Sequence, residues 1–275
     1  MSGFTADWLA LREPADAGAR ALSVTRMAVD ALPTGIVRAV DLATGTGANV
    51  RYLAPHLPPE QDWLLVDDDE RLLSELPAHM YRSDLPREAR IEFRRVDLSE
   101  LDSSDIVEGR NLVTASALLD LVSESWVVSL ASICRRTGAV VLLALTYNGR
   151  ITFSPGEPED DIVRVLVNRH QHTDKGFGPA LGPDAPARAA EHFTRFGYDV
   201  RRAPSDWVLT VNERTLQQQL IDGWAKAATA IEPGEAHRIS SWQGRREAHV
   251  ATGRSDIVVG HDDLAAVPKS QDRRP

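Results

Sequence analysis

Two acids and two glycines, read with their spacing, carry the first chemistry in this chain: Asp41, Gly45, Gly47 and Asp67. The stretch Val37-Arg-Ala-Val-Asp41-Leu-Ala-Thr-Gly45-Thr-Gly47-Ala-Asn49 passes from a β-branched run into an acid, then a glycine-rich turn, then a helical pattern at Val50, Leu53 and Leu57. Glycines at a strand-to-helix turn let the backbone come close to a ligand. Twenty residues beyond Gly47, the apolar run Trp63-Leu-Leu-Val66 ends at Asp67. An acid there is placed to accept hydrogen bonds from both hydroxyls of a ribose. Strand, turn, helix, strand and acid make half of a nucleoside-binding α/β fold.

The spacing of the glycines separates one nucleoside from another. A dinucleotide site wants a third glycine where this chain has Val50, whose branched side chain obstructs close helix–strand packing. Asp41 would also repel a diphosphate, whereas a cationic ligand reverses that argument. With Asp41-Leu42-Ala43-Thr44-Gly45-Thr46-Gly47, the chain resembles the class I S-adenosylmethionine-dependent methyltransferases, Ala43 standing where the family's first glycine falls. The resemblance covers residues from about 35 to 145. It implies that Ala43, Gly45 and Gly47 pass under the methionine portion and that Asp41 either holds its amino group or orders the loop. It implies that Asp67 takes the ribose hydroxyls, that Asp68 sits by the adenine edge, and that Asp97 accepts from the adenine amino group with Leu98 over the ring. Ser116-Ala117-Leu118 would lie next to the sulfonium. Asp68 and Asp97 have a plainer reading as solvated loop acids or helix caps, and Ser116 as a small packing residue. Asp120 either caps the following helix or faces the site.

Methyl transfer from a sulfonium is an in-line displacement, so alignment and electrostatic fit supply most of the catalysis. A base is needed only where the acceptor must lose a proton. The densest reserve of such groups is Asn168-Arg169-His170-Gln171-His172-Thr173-Asp174-Lys175. Here His170 is the candidate base, with His172 and Lys175 as acceptor contacts; the alternative is a structural loop network. The two histidines lack the further ligand that would make a recognisable metal site. A second cluster, Trp8 to Arg20, holds Arg12 and Arg20, either of which can pair with the methionine carboxylate or belong to a surface network. Trp8 is placed with the acceptor.

These residues need a doubly wound, mostly parallel, Rossmann-like sheet to position them. Residues 1–34 read as a helical lid and 35–266 as the methyltransferase domain. Strands are expected at about 37–42, 62–67, 91–96, 111–116 and 139–146, the last buried on both faces and closed by a turn at Asn148-Gly149. An acceptor-site insertion is expected over about 150–187, a helix at 187–196, a strand at 198–202, a helical insertion at about 213–250, and a short strand at 256–260. The resemblance implies an antiparallel pair at the end of the sheet. The tail 267–275 is polar and expected to be disordered.

Composition narrows the setting. The 275 residues are 43% hydrophobic and carry a net charge of −9, with only three lysines among 31 basic residues. That balance, with scattered arginines, argues against nucleic acid and for a small-molecule acceptor. No run reaches the ~18 apolar residues of a membrane span, and the N-terminus lacks a leader's basic and apolar regions. A lone cysteine, Cys134, excludes an internal disulfide. A cytoplasmic enzyme is expected, a homodimer being compatible with the apolar stripe of Leu216, Leu220, Ile221, Trp224, Ala228 and Ile231. Two other classes stay open: a dinucleotide-dependent oxidoreductase, and a nucleoside-binding protein without transfer activity.

Overall fold

Five segments become parallel strands: β1 (Val37–Leu42), β2 (Gln61–Asp67), the charged, alternating edge strand β3 (Arg90–Arg95), β4 (Leu112–Ser116) and β5 (Val140–Ser154). They lie in the order β3-β2-β1-β4-β5. The computed structural model describes residues 4–81, 85–86, 89–103 and 105–269. Beyond β5 the sheet turns antiparallel, through β8 (Asp256–Pro268) to β6 (Tyr198–Pro204), with the short β7 (Trp207–Leu209) also on β8. This is the Rossmann-like, mostly parallel sheet that the sequence predicts.

Helices cover both faces, as a parallel sheet requires. On one side α5 (Glu124–Thr137) and α7 (Ala185–Arg195) bury Leu130, Ala131 and Phe193 against Val113, Val141 and Leu143. On the other, α2 (Leu22–Asp30) and α3 (Ala48–Leu53) bury Val24, Ala28, Val50 and Leu53 against Ala39, Leu65 and Leu142. Among residues 4–34 the two helices take different places. Only α1 (Ala6–Ala19) lies over the carboxyl edge of β1, while α2 belongs to the sheet's own helix layer.

A third core lies beyond the carboxyl edge. β5 does not stop at Asn148-Gly149 but continues to Ser154, pairing with β8 through register shifts between Leu143/Thr146 and Tyr147/Ile151. Gly149, at φ +86°, is spent on such an irregularity and not on a turn. The stretch 150–187, expected as an acceptor-site insertion, is largely built into regular elements. It holds the end of β5, helix α6 (Asp160–Gln171), a loop, and the start of α7. Val163, Leu166 and Val167 on α6 pack with Ile151, Trp207, Ile257 and Val259, and with α8 (Arg214–Ile231) and α9 (Ala236–Ala251). The apolar stripe on α8 is part of this core: Leu216, Ile221, Trp224 and Ala228 are buried there. At the C-terminus, Val267 and Pro268 complete β8 and the Lys269 amide donates to the Gly197 carbonyl (3.0 Å), so the expected disorder does not begin at 267. Residues 270–275 lie outside the described residues.

Candidate functional site

The glycine-rich turn is held open from beneath. Asp41 is buried at the end of β1, accepting from Thr44 Oγ1 through Oδ2 (2.7 Å) and from Asn49 Nδ2 through Oδ1 (2.7 Å). Burial pushes its carboxyl up to about 6, opposed by those two hydrogen bonds and by Arg20. Of the two roles open to Asp41, ordering the loop is the one its contacts serve. Asn49 extends the chain, donating also to Thr114 Oγ1 (3.0 Å) and accepting from Arg20 Nη1 (2.8 Å). Arg20 in turn meets Asp263 of β8 (3.3 Å) and covers the Tyr52 ring at 4.3 Å. Asp263 is fully buried and also accepts from the Ala21 and Leu145 amides (2.9 and 2.8 Å).

The two glycines differ in what they do. A Cβ on Gly45 (φ +56°) would come 3.0 Å from Leu9 Cδ1 of α1, so the turn and that helix approach closely across the cavity. A Cβ on Gly47 (φ +80°) would fall 2.4 Å from Met80 Cε. Gly47 does not line the cavity; it permits α4 (Glu70–Tyr81) to pack on the turn. Ala43 sits at φ +52°, and two other non-glycine residues share that region: Ala117 after β4 (+53°) and Leu145 in β5 (+52°). Such conformations cost on the order of 1–3 kcal/mol and collect at functional sites. Ala43→Gly is therefore expected to hold or raise folding stability, by up to about 1 kcal/mol, because relief of the left-handed strain outweighs the added chain entropy. Urea unfolding measures this, and a loss above about 1 kcal/mol would show that the Ala43 methyl packs against something the turn needs.

Asp67 ends β2 with Oδ2 accepting from the Gly45 amide (2.8 Å) and Oδ1 from the Asp69 amide (3.0 Å), while burial raises its carboxyl. Asp68 beside it is exposed. Asp97 is exposed too, one oxygen accepting from the Ser99 amide (2.9 Å) and hydroxyl (2.6 Å), which lower its carboxyl. It thus caps a short turn as well as facing the cavity. Leu98 is buried and its carbonyl accepts from Trp126 Nε1 (2.7 Å).

These residues surround a cavity of about 660 Å³, its floor Ala43–Thr46, its sides Asp67, Asp68, Asp97, Leu98 and Ser116, and its cover Leu9 and Arg12 of α1. Arg12 is paired with Asp16 (2.9 Å) and lies 4.9 Å over the Trp207 ring. Glu13 bonds Arg51 (2.6 Å), strapping α1 to α3. Arg20 lines a smaller adjoining cavity with Asn49 and Ser116, and its Nη2 is buried without a partner.

The predicted acceptor residues lie elsewhere. His170 and His172 belong to the C-terminal end of α6, not to a loop over the sheet, and neither lines the main cavity; nor do Lys175 and Trp8. Lys175 Nζ donates to the His170 carbonyl (3.0 Å) and Thr173 Oγ1 (2.8 Å), closing the end of the helix, and stands 3.4 Å from His170 Nδ1. Burial and that ammonium lower His170, while burial lowers Lys175. His172 Nδ1 is 3.3 Å from the Ala180 carbonyl, with its side chain 44% exposed. The loop that follows brings Gly176 and Phe177 to the cavity in their place. Trp8 packs with the third core. Asp120 is buried and is not the cap of α5, a role Ser123 takes by accepting from the Trp126 amide (3.3 Å).

Asn49 and Asp263 escaped the sequence reading. Asn49 belongs to the turn motif itself, and Asp263 directly precedes the apolar end of β8, where its full burial is matched by Arg20.

No protein-family model matches the chain, and no curated protein matches it. Among solved structures, it is similar to the cyclopropane synthase MmaA2 from Mycobacterium tuberculosis, at 12% identity and a TM-score of 0.51, over 96% of this chain and 94% of that one. It also matches an S-adenosylmethionine-dependent methyltransferase from Geobacter sulfurreducens in complex with S-adenosylhomocysteine, at 14% identity, a TM-score of 0.48, and 98% and 100% coverage. A third, from Thiobacillus denitrificans with the same ligand, matches at 13% identity, a TM-score of 0.48, and 97% and 99% coverage. The chain shares its overall fold with the first of these.

Proposed function

We propose that the protein binds S-adenosylmethionine and transfers its methyl group to a small-molecule acceptor. The charge lining the cavity carries this reading. Seven acids face it against three arginines, and each arginine is already paired, Arg12 with Asp16, Arg71 with Asp69 and Arg95 with Glu70. The carboxylates left over are Asp41, Asp67, Asp68 and Asp97. Such a lining attracts a sulfonium and accepts from ribose and adenine donors, and it repels a diphosphate. The volume falls within the roughly 300–1,000 Å³ of small-molecule sites.

In this reading Asp67 accepts from the ribose hydroxyls with the lone pairs left after Gly45 and Asp69, each carboxylate oxygen having two. Asp68 and Asp97 lie on the adenine side, with Leu98 against the ring. Ala43 and Gly45 form the floor under the methionine portion, and its carboxylate meets either Arg12 or the open Nη2 of Arg20. A bound sulfonium supplies an activated methyl group. The chain aligns the acceptor with it, and α1 excludes water.

The test is calorimetric. The purified protein is expected to bind S-adenosylhomocysteine at micromolar concentration and NAD far more weakly. Asp67→Ala is expected to cost about 1–3 kcal/mol of that affinity. Because Asp67 is buried and holds the Gly45 amide, the same substitution is expected to lower the melting temperature as well. NAD as the tighter ligand would sink the proposal.

A further inference from the structure

The charge lining the main cavity is unevenly placed. All of its acids except Asp16 stand at or just past the carboxyl ends of β1, β2 and β3. After β4 the lining turns apolar, with Leu118, Leu121 and Phe177. Phe177 is fixed edge-on against Trp126, their centroids 6.2 Å apart. Arg12 and Asp16 of α1 supply the charge on this side. Arg12 acts on Asp120, which is buried behind the two leucines, so its guanidinium lies beside that wall. One edge of the guanidinium is already taken: Nε and Nη2 donate to the two oxygens of Asp16 (2.9 and 3.1 Å). One face is taken too, by the Trp207 ring at 4.9 Å, and Trp207 Nε1 donates to the same Asp16 (3.0 Å). What stays free is the Nη1–Nη2 edge, a fork of two parallel N–H groups. Nη1 has no hydrogen-bond partner among the described residues, and it is not a buried atom. Its side chain is 11% exposed, and the open edge is what Arg12 offers to the cavity it lines.

We propose that the methyl acceptor is an apolar monocarboxylic acid, its carboxylate held by the free edge of Arg12 and its body lying on Leu118, Leu121 and Phe177. The inference rests on the methyltransferase reading and divides the two arginines that this reading leaves open. Arg20 is joined through Asn49 and Asp41 to the floor under the methionine portion, and it lines the adjoining cavity with Asn49 and Ser116. The methionine carboxylate therefore falls to Arg20. Arg12, on the side of Trp207 and the apolar wall, is left for the acceptor. The fork selects the acceptor's charge and shape. Clamped between a ring and an acid, it is set in advance for a planar anion that accepts two parallel hydrogen bonds. A doubly charged phosphate is disfavoured, because Asp16 remains in contact with the same guanidinium and repels the second charge. An ammonium ion is rejected, because the open N–H groups donate and cannot accept. With both oxygens engaged by the fork, the carboxylate is an anchor and not the group methylated, so the product remains an anion.

The test titrates the protein loaded with S-adenosylhomocysteine with four compounds of similar shape, followed by ligand NMR: phenylacetate, phenylacetamide, 2-phenylethylamine and benzylphosphonate. Phenylacetate is expected to bind about tenfold or more tightly than the other three. Arg12→Met keeps an apolar contact with Trp207 and removes the fork. It is expected to bring phenylacetate within a few-fold of the amide and to leave S-adenosylhomocysteine affinity within a few-fold of the parent. Arg12→Lys should recover part of the loss, a point charge replacing a planar fork. In a second arm, methyl-labelled S-adenosylmethionine and a metabolite extract should give a labelled product that an anion exchanger retains. The amine or the phosphonate as the tighter ligand, phenylacetate binding unchanged in Arg12→Met, or a labelled product that is neutral, cationic or absent would each overturn the inference. A matching loss of S-adenosylhomocysteine affinity in Arg12→Met would overturn it too, by showing that Arg12 serves the methionine carboxylate. Failure of the parent protein to bind S-adenosylhomocysteine at all would instead bring down the methyltransferase reading.

Discussion

Asp263→Ala is expected to remove about 3–5 kcal/mol of folding stability, far more than an ordinary surface change, because it leaves a buried arginine without its counter-charge. The Arg20 and Asp263 side chains are 2% and 0% exposed, so neither is solvated by water. Arg20 would keep Asn49 as a neutral acceptor, and the Ala21 and Leu145 amides would lose theirs. The effect also reaches the cofactor floor. Arg20 orients Asn49, Asn49 holds Asp41, and Asp41 shapes the turn at Ala43–Gly47, while the Leu145 amide fixes a strained residue of β5. S-adenosylhomocysteine affinity is therefore expected to fall together with stability, even in the fraction that folds. Asp263→Asn keeps an acceptor and loses the charge, and it should fall between the parent and the alanine variant. Urea unfolding paired with calorimetry checks both effects. A stability loss below about 1 kcal/mol in Asp263→Ala would mean that water reaches Arg20 and that the network is not a support.

The parts of this fold legible in the sequence are those set by local rules. The strand–turn–helix around Asp41 and the strand ending at Asp67 have hydrophobic period, glycine placement and terminal acids in agreement, and they are found as expected. α8 and α9 follow from their apolar spacing. The misreadings arise where tertiary context overrides a local signal. Asn148-Gly149 has the composition of a hairpin turn, yet β8 pairs with β5 on both sides of it and absorbs the extra residues as irregularities in the ladder. α6 falls inside the stretch read only as an acceptor-site insertion, where proline- and glycine-bearing segments on either side mask its helical spacing; Val163, Leu166 and Val167 have a core to enter.

The site divides in the same way. Ala43, Gly45, Asp67, Asp68, Asp97, Leu98, Ser116 and Arg12 converge on one cavity, and all but Arg12 lie in segments where the strand ends dictate proximity. His170, His172 and Lys175 look chemically rich as a string. Their grouping is that of a helix terminus, where polar side chains satisfy carbonyls and each other. Asp120 had two readings; Ser123 takes the cap, and Asp120 itself is buried behind Leu118 and Leu121, which line the cavity in its place. The Arg20–Asp263 pair joins residues 243 apart in the chain, a separation at which no local pattern operates.

Arg246→Met is expected to cost a similar 3–5 kcal/mol, toward the lower end, and to act on the opposite side of the site. Arg246 is fully buried in the third core, with its guanidinium 4.3 Å from the Phe153 ring centroid. It pairs with Asp160 at the start of α6 and donates to the Pro155 carbonyl (2.7 Å), and Trp242 Nε1 donates to the same Asp160 (2.8 Å). Methionine fills much of the volume and removes the charge, leaving the carboxylate with Trp242 and the Glu157 amide (2.7 Å) as donors. Those remaining donors, and the 18% exposure of the Asp160 side chain, keep the loss from being larger. A second substitution, Asp160→Leu, removes the unpaired carboxylate but strands the Trp242 indole and Glu157 amide donors, so it should recover only part of the loss. The functional consequence separates this variant from Asp263→Ala. α6, α9 and the end of β5 carry the loop with Lys175, Gly176 and Phe177, whereas the turn at Asp41 hangs from α3, α1 and β8. Arg246→Met should thus weaken the acceptor side and leave S-adenosylhomocysteine affinity within a few-fold of the parent. Equal losses of cofactor affinity in the two variants would mean that the third core and the cofactor floor unfold as one unit, and that the separation of their supports drawn from the contacts does not hold in solution.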